Sequence, residues 1–529
     1  MDRTREGAKQ MADILIGIDS GTSVIKAVAF DLAGRQLAAF AVPNTYQTGA
    51  DGSATQSLTR TWQDCARALR GLGETLPGLA ARTAAVSVTA QGDGTWLVGK
   101  GNVPVSDAWL WLDARAAPTV GRLATGATNR ARFEATGTGL NTCQMGAQMA
   151  HMDRFAPDLL NRAEVALHCK DWLYLNLTGV RATDPSEASF TFGNFRTRAY
   201  DDGVIAALGL THRSTLLPQI IDGTEVTHPL TAAAAHATGL LAGTPVSLGY
   251  VDMAMTAFGA GVHTGEPAAC SIIGSTGVHL RSTDVAGVHL NVEGTGYVIA
   301  LPIPGIVTQV QTNMAATLNI DWALRMAADL MSGLGKPTRH ADLVPLIEGW
   351  LAASKPGALL YHPYISDAGE RGPFVNASAR ASFIGLSQQT RFADLLRGVV
   401  EGLGMAMRDC YAAMGSLPAE VRLTGGASRS KGLRQVLSAA VGAPVRVSAR
   451  DEAGAAAAAM MAAVAIGVYP TMRACVAEWV TPLLADAEAP DPDLCETYNR
   501  LYPSYEHARQ ALPPVWAGLA ALREEQGAI

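Results

Sequence analysis

ILIGIDSGTSVIKAVAFD, residues Ile14 to Asp31, opens on the apolar run Ile14-Leu15-Ile16, passes Asp19 and turns through Gly21-Thr22-Ser23. It leaves on a second apolar run that ends at Asp31. Two runs rich in β-branched residues joined by a short Gly/Ser/Thr turn predict a β-hairpin. The turn offers backbone N–H groups and hydroxyls suited to cradling a phosphate, and Asp19 suits a metal ion held through water. An ordinary surface hairpin fits the same residues, because a lone D-x-G-[TS] is a short motif. The rest of the chain has to choose between them.

A chain of 529 residues is too long for one core and implies two large domains. Its charged fraction, 17%, is below the usual value of about 25%. A net charge of −6 without a polybasic block leaves no footprint for nucleic acid or an anionic membrane. The polar opening MDRTREGAKQ lacks the apolar core of a signal peptide, and residues 1–12 are expected to form a disordered leader. Ala453 to Tyr469 carries no charge and approaches the length of a membrane span. Its Ala and Gly content makes transfer into lipid weak, so it reads as a tightly packed buried helix. Seven scattered cysteines without a C-x-x-C pair indicate reduced thiols, a cytoplasmic location and no structural zinc.

After the hairpin, Arg35 to Ala41 reads as a third strand, Asn44 to Ser57 as a polar loop, and Leu58 to Leu76 as a helix with Trp62, Cys65, Leu69 and Leu72 on one face. A strand from Ala84 to Thr89 runs into Gln91-Gly92-Asp93-Gly94, polar residues placed to face a cleft or simply to make a turn. In Trp109-Leu110-Trp111-Leu112-Asp113-Ala114-Arg115 an aromatic beside an acid suits a small polyhydroxylated ligand. Asp113 and Arg115 suit a structural ion pair equally well. The cluster Thr183 to Ser189 reads as a helix cap. Thr244 to Asp252 is a strand ending on an acid before the helix-like Met253 to Gly261, a junction where α/β folds place chemistry or merely an N-cap.

From Cys270 the pattern of the first hairpin returns. Cys270 to Ile273 is apolar, Gly274-Ser275-Thr276-Gly277 turns, and a strand follows from Val278. Two such turns, one in each half, point to an internal duplication with two phosphate-binding hairpins. Leu423-Thr424 then runs into the pair Gly425-Gly426, where the backbone can approach a flat ring or ribose, and a helix follows from Leu433 to Val441.

The ordered series IDSGTSVIKAVAFD, QGDG, WLDAR, KDWLYLNLTG, TDPSEAS, the Asp252 segment, SIIGSTG, HPYISDAGERGPFVNASARASFIGLSQQT, LTGGASRSKGLRQVLSAAVGAPV and DEAGAAAAAM resembles the FGGY family of carbohydrate kinases over about Ile14 to Leu512. The resemblance implies an α/β fold of two RNase H-like domains of the actin/hexokinase ATPase type, with an interdomain active-site cleft. It implies transfer of the γ-phosphoryl group of ATP to a hydroxyl, with Mg²⁺ required. An N-terminal domain over 13–262, a C-terminal domain over 263–490 and a helical extension over 491–529 packing on the second domain are expected. By match, Asp252 stands at the catalytic base and Asp19 at the acid that organises the hydrated metal. Thr22, Ser23 and Lys26 fall on the first phosphate loop, Lys26 where some members carry Arg. Ser275, Thr276 and Gly277 fall on the second, and Gly425, Gly426 and Ala427 on the adenosine site. Gly92, Asp93, Trp111 and Asp113 map to the substrate wall.

The acceptor is read from Gly92-Asp93. Glycerol kinases carry Arg-Glu there and D-xylulokinases Met-His. Gly followed by an acid is expected to leave more room while keeping a carboxylate for hydroxyls, and Met253 replaces a polar residue of both subfamilies. The run QGDGTW is most similar to erythritol kinases, which act on a four-carbon polyol, and close to the QGKG of L-xylulokinase-like members. A small polyol is the expected partner, with pentulose and glycerol as alternatives. A silent sugar sensor would have lost Asp252 or a phosphate loop, and a chaperone-type ATPase would carry a separate peptide-binding domain. A homodimer is compatible with the sequence.

Overall fold

A computed structural model describes residues 12–262 and 268–525. The expected leader falls outside the described residues, Ala12 excepted. Strands β1 (Ile14–Ser20) and β2 (Val24–Asp31) form the predicted hairpin, with Asp19 opposite Lys26. β3 (Gln36–Pro43) continues the antiparallel meander. Helix α1 (Leu58–Thr75) is capped by Ser57 and turns Cys65, Leu69 and Leu72 into the core, with Trp62 packed at its margin. β4 (Thr83–Ala90) pairs in parallel with β1. The sheet is completed after helices α2 (Cys169–Thr178) and α3 (Pro185–Phe192) by β5 (Thr227–Pro229) and β6 (Pro245–Leu248), in the order β5-β6-β4-β1-β2-β3. Helix α4 (Asp252–Gly259) begins four residues after β6, so Asp252 lies in the helix's first turn rather than at the end of the strand.

The second half repeats the plan. β7 (Ala268–Ile273) and β8 (Gly277–Asp284) are an antiparallel hairpin, followed by β9 (Ile306–Asn313), α5 (Thr317–Gly333) and α6 (Phe392–Ala413). β10 (Glu420–Thr424) pairs in parallel with β7, and after α7 (Lys431–Val441) the short β11 (Val445–Val447) pairs in parallel with β10. The consecutive strands β9-β8-β7-β10-β11 have the order of β3-β2-β1-β4-β6. Each hairpin therefore opens a core of the same design.

The chain divides into two compact units: residues 12–262, 298–307 and 450–483, and residues 268–297, 308–449 and 484–525. Residues 450–483, expected with the second domain, thus belong to the first unit. The reason lies in α8 (Ala453–Ala465), whose residues Gly454 to Ala463 are all buried. A Cβ on Gly17 of β1 would lie 1.9 Å from the Ala455 carbonyl oxygen, and one on Gly259 of α4 would lie 2.1 Å from that of Ala453. Only small residues allow backbones to approach so closely, which is what the Ala-rich composition supplies. Among the described residues no helix is long and apolar enough to cross a membrane, and no disulfide joins any of the seven cysteines.

The tail forms α9 (Pro492–Ala511) and α10 (Pro513–Glu525). Tyr498 and Tyr505 enter the core of the second unit beside α6 and α7, and Trp516 stacks on Phe374 at 6.0 Å.

Candidate active site

In the first unit the ends of β1, β2 and β4 and the start of α4 bring most of the expected residues together. Side chains alternate along β1, so Ile14, Ile16 and Ile18 enter the core while Leu15, Gly17 and Asp19 take the opposite face. On that face a Cβ added to Gly454 would lie 2.7 Å from Asp19 Oδ2, so the N-terminal turn of α8 closes directly over the carboxylate. Burial raises Asp19 to about 6, with Lys26 opposing and Glu452 adding to the shift. Lys26 Nζ donates to Glu452 Oε1 and Oε2 at 3.0 and 2.8 Å.

Asp252 is raised further, to about 8, by burial and then by the charge of Asp19, with smaller contributions from Glu187 and Asp93. The Met253 N–H, donating to Asp252 Oδ1 at 2.7 Å, works the other way. An acid near neutrality at the N-terminus of a helix is poised to exchange a proton at physiological pH.

The turn after β4 is bound into a polar relay. The Trp111 indole N–H donates to Thr22 Oγ1 at 2.9 Å, Thr22 donates to Gln91 Oε1 at 2.7 Å, and Gln91 donates to Gln56 Oε1 at 2.7 Å. This chain joins the first phosphate-loop candidate to the acceptor-wall candidate Trp111. Ser23, next to Thr22, is exposed. Asp93 is buried with φ at 57°, in the left-handed region, and its N–H donates to Glu187 Oε1 at 2.9 Å.

Two expectations are revised here. Gly92 does not open space: a Cβ there would sit 2.4 Å from Val251 Cγ2 and 3.1 Å from Glu187 Oε1, so glycine is required by packing. Asp113 is fully buried, accepting from the Ala54 N–H at 2.9 Å and from the Arg115 guanidinium through both oxygens. That ion pair holds Arg115 over the Trp109 ring, 3.5 Å from its centroid. The Asp113 carboxylate is thereby committed to internal partners.

The second unit brings together its own pair of candidates. Ser275 and Thr276 are exposed at the tip of the β7–β8 hairpin, with Gly277 at the start of β8. The hairpin is tied to the start of α5 by the Ala316 N–H donating to Ser275 O at 2.7 Å and the Thr317 N–H to Gly274 O at 3.0 Å. Gly425 has φ at 83°, and a Cβ on it would lie 2.6 Å from the Ile273 carbonyl oxygen. The exposed pair Gly425-Gly426 therefore packs on the end of β7, beside the hairpin, with Ala427 buried beneath. Met314 is fixed by Glu370, whose Oε1 accepts its N–H at 2.9 Å, and burial raises the Glu370 carboxyl to about 7.

Sequence reasoning passed over a buried charge cluster behind the Asp93 turn. Among the described residues, His168, Asp171 and Glu187 form a group with ligand atoms within 4.8 Å of one another, a metal-like arrangement. Lys170 supplies a cation to it, with Nζ 2.7 Å from Asp171 Oδ1 and 3.2 Å from Glu187 Oε2. The motifs KDWLYLNLTG and TDPSEAS carried Lys170, Asp171 and Glu187, and His168 lies two residues before the first of them. Asp184 does cap α3, as a Ser/Thr/Asp cluster suggests, but the long-range pairing of Glu187 has no local sequence signal.

Two units with one strand order, each opening on a Gly/Ser/Thr hairpin, make up the two-domain actin/hexokinase-type fold. The sequence model of the FGGY family of carbohydrate kinases, N-terminal domain, matches residues 14–259, and that of the C-terminal domain matches residues 269–466; the chain belongs to this family. It is 72% identical to an erythritol kinase of Brucella abortus (strain 2308) over 514 residues, covering 97% of this chain and 99% of the relative. It is 29% identical to an autoinducer-2 kinase of Yersinia pestis bv. Antiqua (strain Angola) over 480 residues, 87% of each chain. Among solved structures, a gluconate kinase from Lactobacillus acidophilus matches with a TM-score of 0.87 at 20% identity, over 96% of this chain and 99% of that one.

Proposed function

We propose that this protein transfers the γ-phosphoryl group of ATP to a terminal hydroxyl of erythritol, with Asp252 as the general base. The 72% identity to the Brucella erythritol kinase over nearly the full length of both chains carries the choice of acceptor. The chemistry follows from the residues. Phosphoryl transfer has a loose transition state, so catalysis is alignment and charge stabilisation. Asp252, in its ionised form, orients the acceptor O–H and takes its proton. The acceptor oxygen forms its bond to the γ-phosphorus as the bond from that phosphorus to the β,γ-bridging oxygen breaks, and the electron pair departs on ADP.

Thr22, Ser23, Lys26, Ser275, Thr276 and Gly277 serve the phosphates. Gly425, Gly426 and Ala427 take the adenosine. Gly92, Asp93 and Trp111 line the acceptor side. The donor set fits Mg²⁺: Asp19 and Asp252 are two carboxylates raised by burial and close enough that the charge of one opposes ionisation of the other, and carboxylate oxygens are the ligands a hard cation takes. Asp19 would hold that ion through water. When bound, Mg²⁺ supplies neutralisation of the β- and γ-phosphate oxygens.

A panel of C3 to C6 polyols and ketoses assayed with ATP tests the acceptor. Erythritol is expected to have the highest kcat/KM, and glycerol or D-xylulose in first place would overturn the proposal. Asp252→Asn should lower kcat by roughly 10²–10⁴-fold while ADP still binds. Near-wild-type turnover by that variant would remove Asp252 from the base role.

A further inference from the structure

Lys170 is fully buried, with Nζ 2.7 Å from Asp171 Oδ1, 2.5 Å from Asp184 Oδ2 and 3.2 Å from Glu187 Oε2. His168 Nδ1 lies 3.2 Å from Asp171 Oδ2 and 2.9 Å from Glu187 Oε2. Burial alone would lower the proton affinity of both cations, but the surrounding carboxylates raise His168 to about 9 and Lys170 well above its ordinary value. Five buried ionisable groups form a tightly paired cluster, in which a partner lost would leave a charge uncompensated.

Two arms leave this cluster from adjacent residues of α3. Glu187 reaches the acceptor side: its Oε1 accepts the Asp93 N–H at 2.9 Å and holds the left-handed conformation of that residue. Asp184 accepts from the N–H of Ser186 at 2.8 Å and from its hydroxyl, and Ser186 Oγ in turn accepts the Val251 N–H at 3.1 Å. Val251 immediately precedes Asp252. The two arms meet again at their far ends, where the Gly92 backbone packs against the Val251 side chain.

We propose that Ser186 and Glu187, anchored by Lys170, are the positioning residues that set the spacing between the acceptor turn Gly92–Asp93 and the base Asp252. One turn of one helix thereby fixes both the pocket that measures the polyol and the group that deprotonates it. A displacement of about 1 Å at such a site costs on the order of 10²-fold in rate, so a buried charged anchor has a function beyond stability. The inference rests on the reading of Asp252 as base and of the Gly92–Asp93 turn as the acceptor side.

The test uses Ser186→Ala and Glu187→Gln in the full chain, each measured for thermal midpoint, ADP affinity, and kcat and KM with erythritol and with C3 and C5 polyols. Ser186→Ala frees the Val251 arm without unpairing a charge, and kcat should fall at least tenfold with KM for erythritol within threefold. Glu187→Gln should raise KM for erythritol at least tenfold and flatten the preference over C3 and C5 polyols, with ADP affinity within threefold of wild type. Folded variants with kcat, KM and acceptor ranking all within threefold of wild type would overturn the proposal. So would variants in which ADP affinity falls in step with acceptor affinity, the mark of general loosening. Wild-type polyol turnover and the Asp252→Asn variant test the underlying reading separately, so its failure is distinguishable from failure of the anchor.

Discussion

Asp252 is held in a state that favours chemistry over stability. Its ordinary value is 3.8 and the folded value about 8. Below the ordinary value both folded and unfolded chains keep the proton, and ionisation costs the fold nothing. Between there and about 8 the unfolded chain ionises while native Asp252 stays protonated, so this group makes stability fall as pH rises, and above about 8 the cost is constant. Asp252→Asn removes the ionisation. In the ligand-free protein the variant should unfold a few degrees higher than wild type at pH 8 and by a smaller margin at pH 5, as read by calorimetry. An equal shift at both pH values would mean that the carboxyl is not raised. Gly92 shows the limit of reasoning from residue type alone. A missing side chain suggested room, yet the space is filled by Val251 and Glu187, which approach from residues far away in the chain.

The elements divide by how their information is written. The hairpins β1–β2 and β7–β8 and the helix α1 were legible because apolar period, turn chemistry and capping are local patterns, whereas Asp252 proved to lie in the first turn of α4 and not at the end of β6. The burial of α8 was legible too, from its lack of charge. Its docking site was not, because an Ala-rich helix has no face that names its partner. Contact with Gly17 makes that docking testable. Gly17→Ala drives a Cβ to 1.9 Å from the Ala455 carbonyl oxygen, and the cost should reach the upper end of the roughly 1–3 kcal/mol typical of overpacking. Denaturant unfolding of the variant measures it. A midpoint equal to that of wild type would show that α8 does not pack on β1 in this way.

At the scale of the whole molecule, the first unit is assembled from segments that lie at opposite ends of the chain. Residues 12–262 expressed alone lack α8, which packs against β1, β4 and α4 and carries Glu452 just ahead of it. That fragment should show no cooperative unfolding transition, and fusion of residues 450–483 to it should restore one. A cooperative transition in the fragment without 450–483 would contradict the role of α8 in the core.

By itself the sequence determined the two hairpins, the acids Asp19 and Asp252, the glycine pair and the family, because each is written in adjacent residues whose backbone and side-chain chemistry act locally. Tertiary structure alone decided that Lys26 pairs with Glu452, 426 residues away, which of its two readings Asp113 takes, and that Lys170 and Glu187 stand behind the Gly92–Asp93 turn. Those outcomes depend on which buried surfaces meet, and that leaves no period or spacing in the chain.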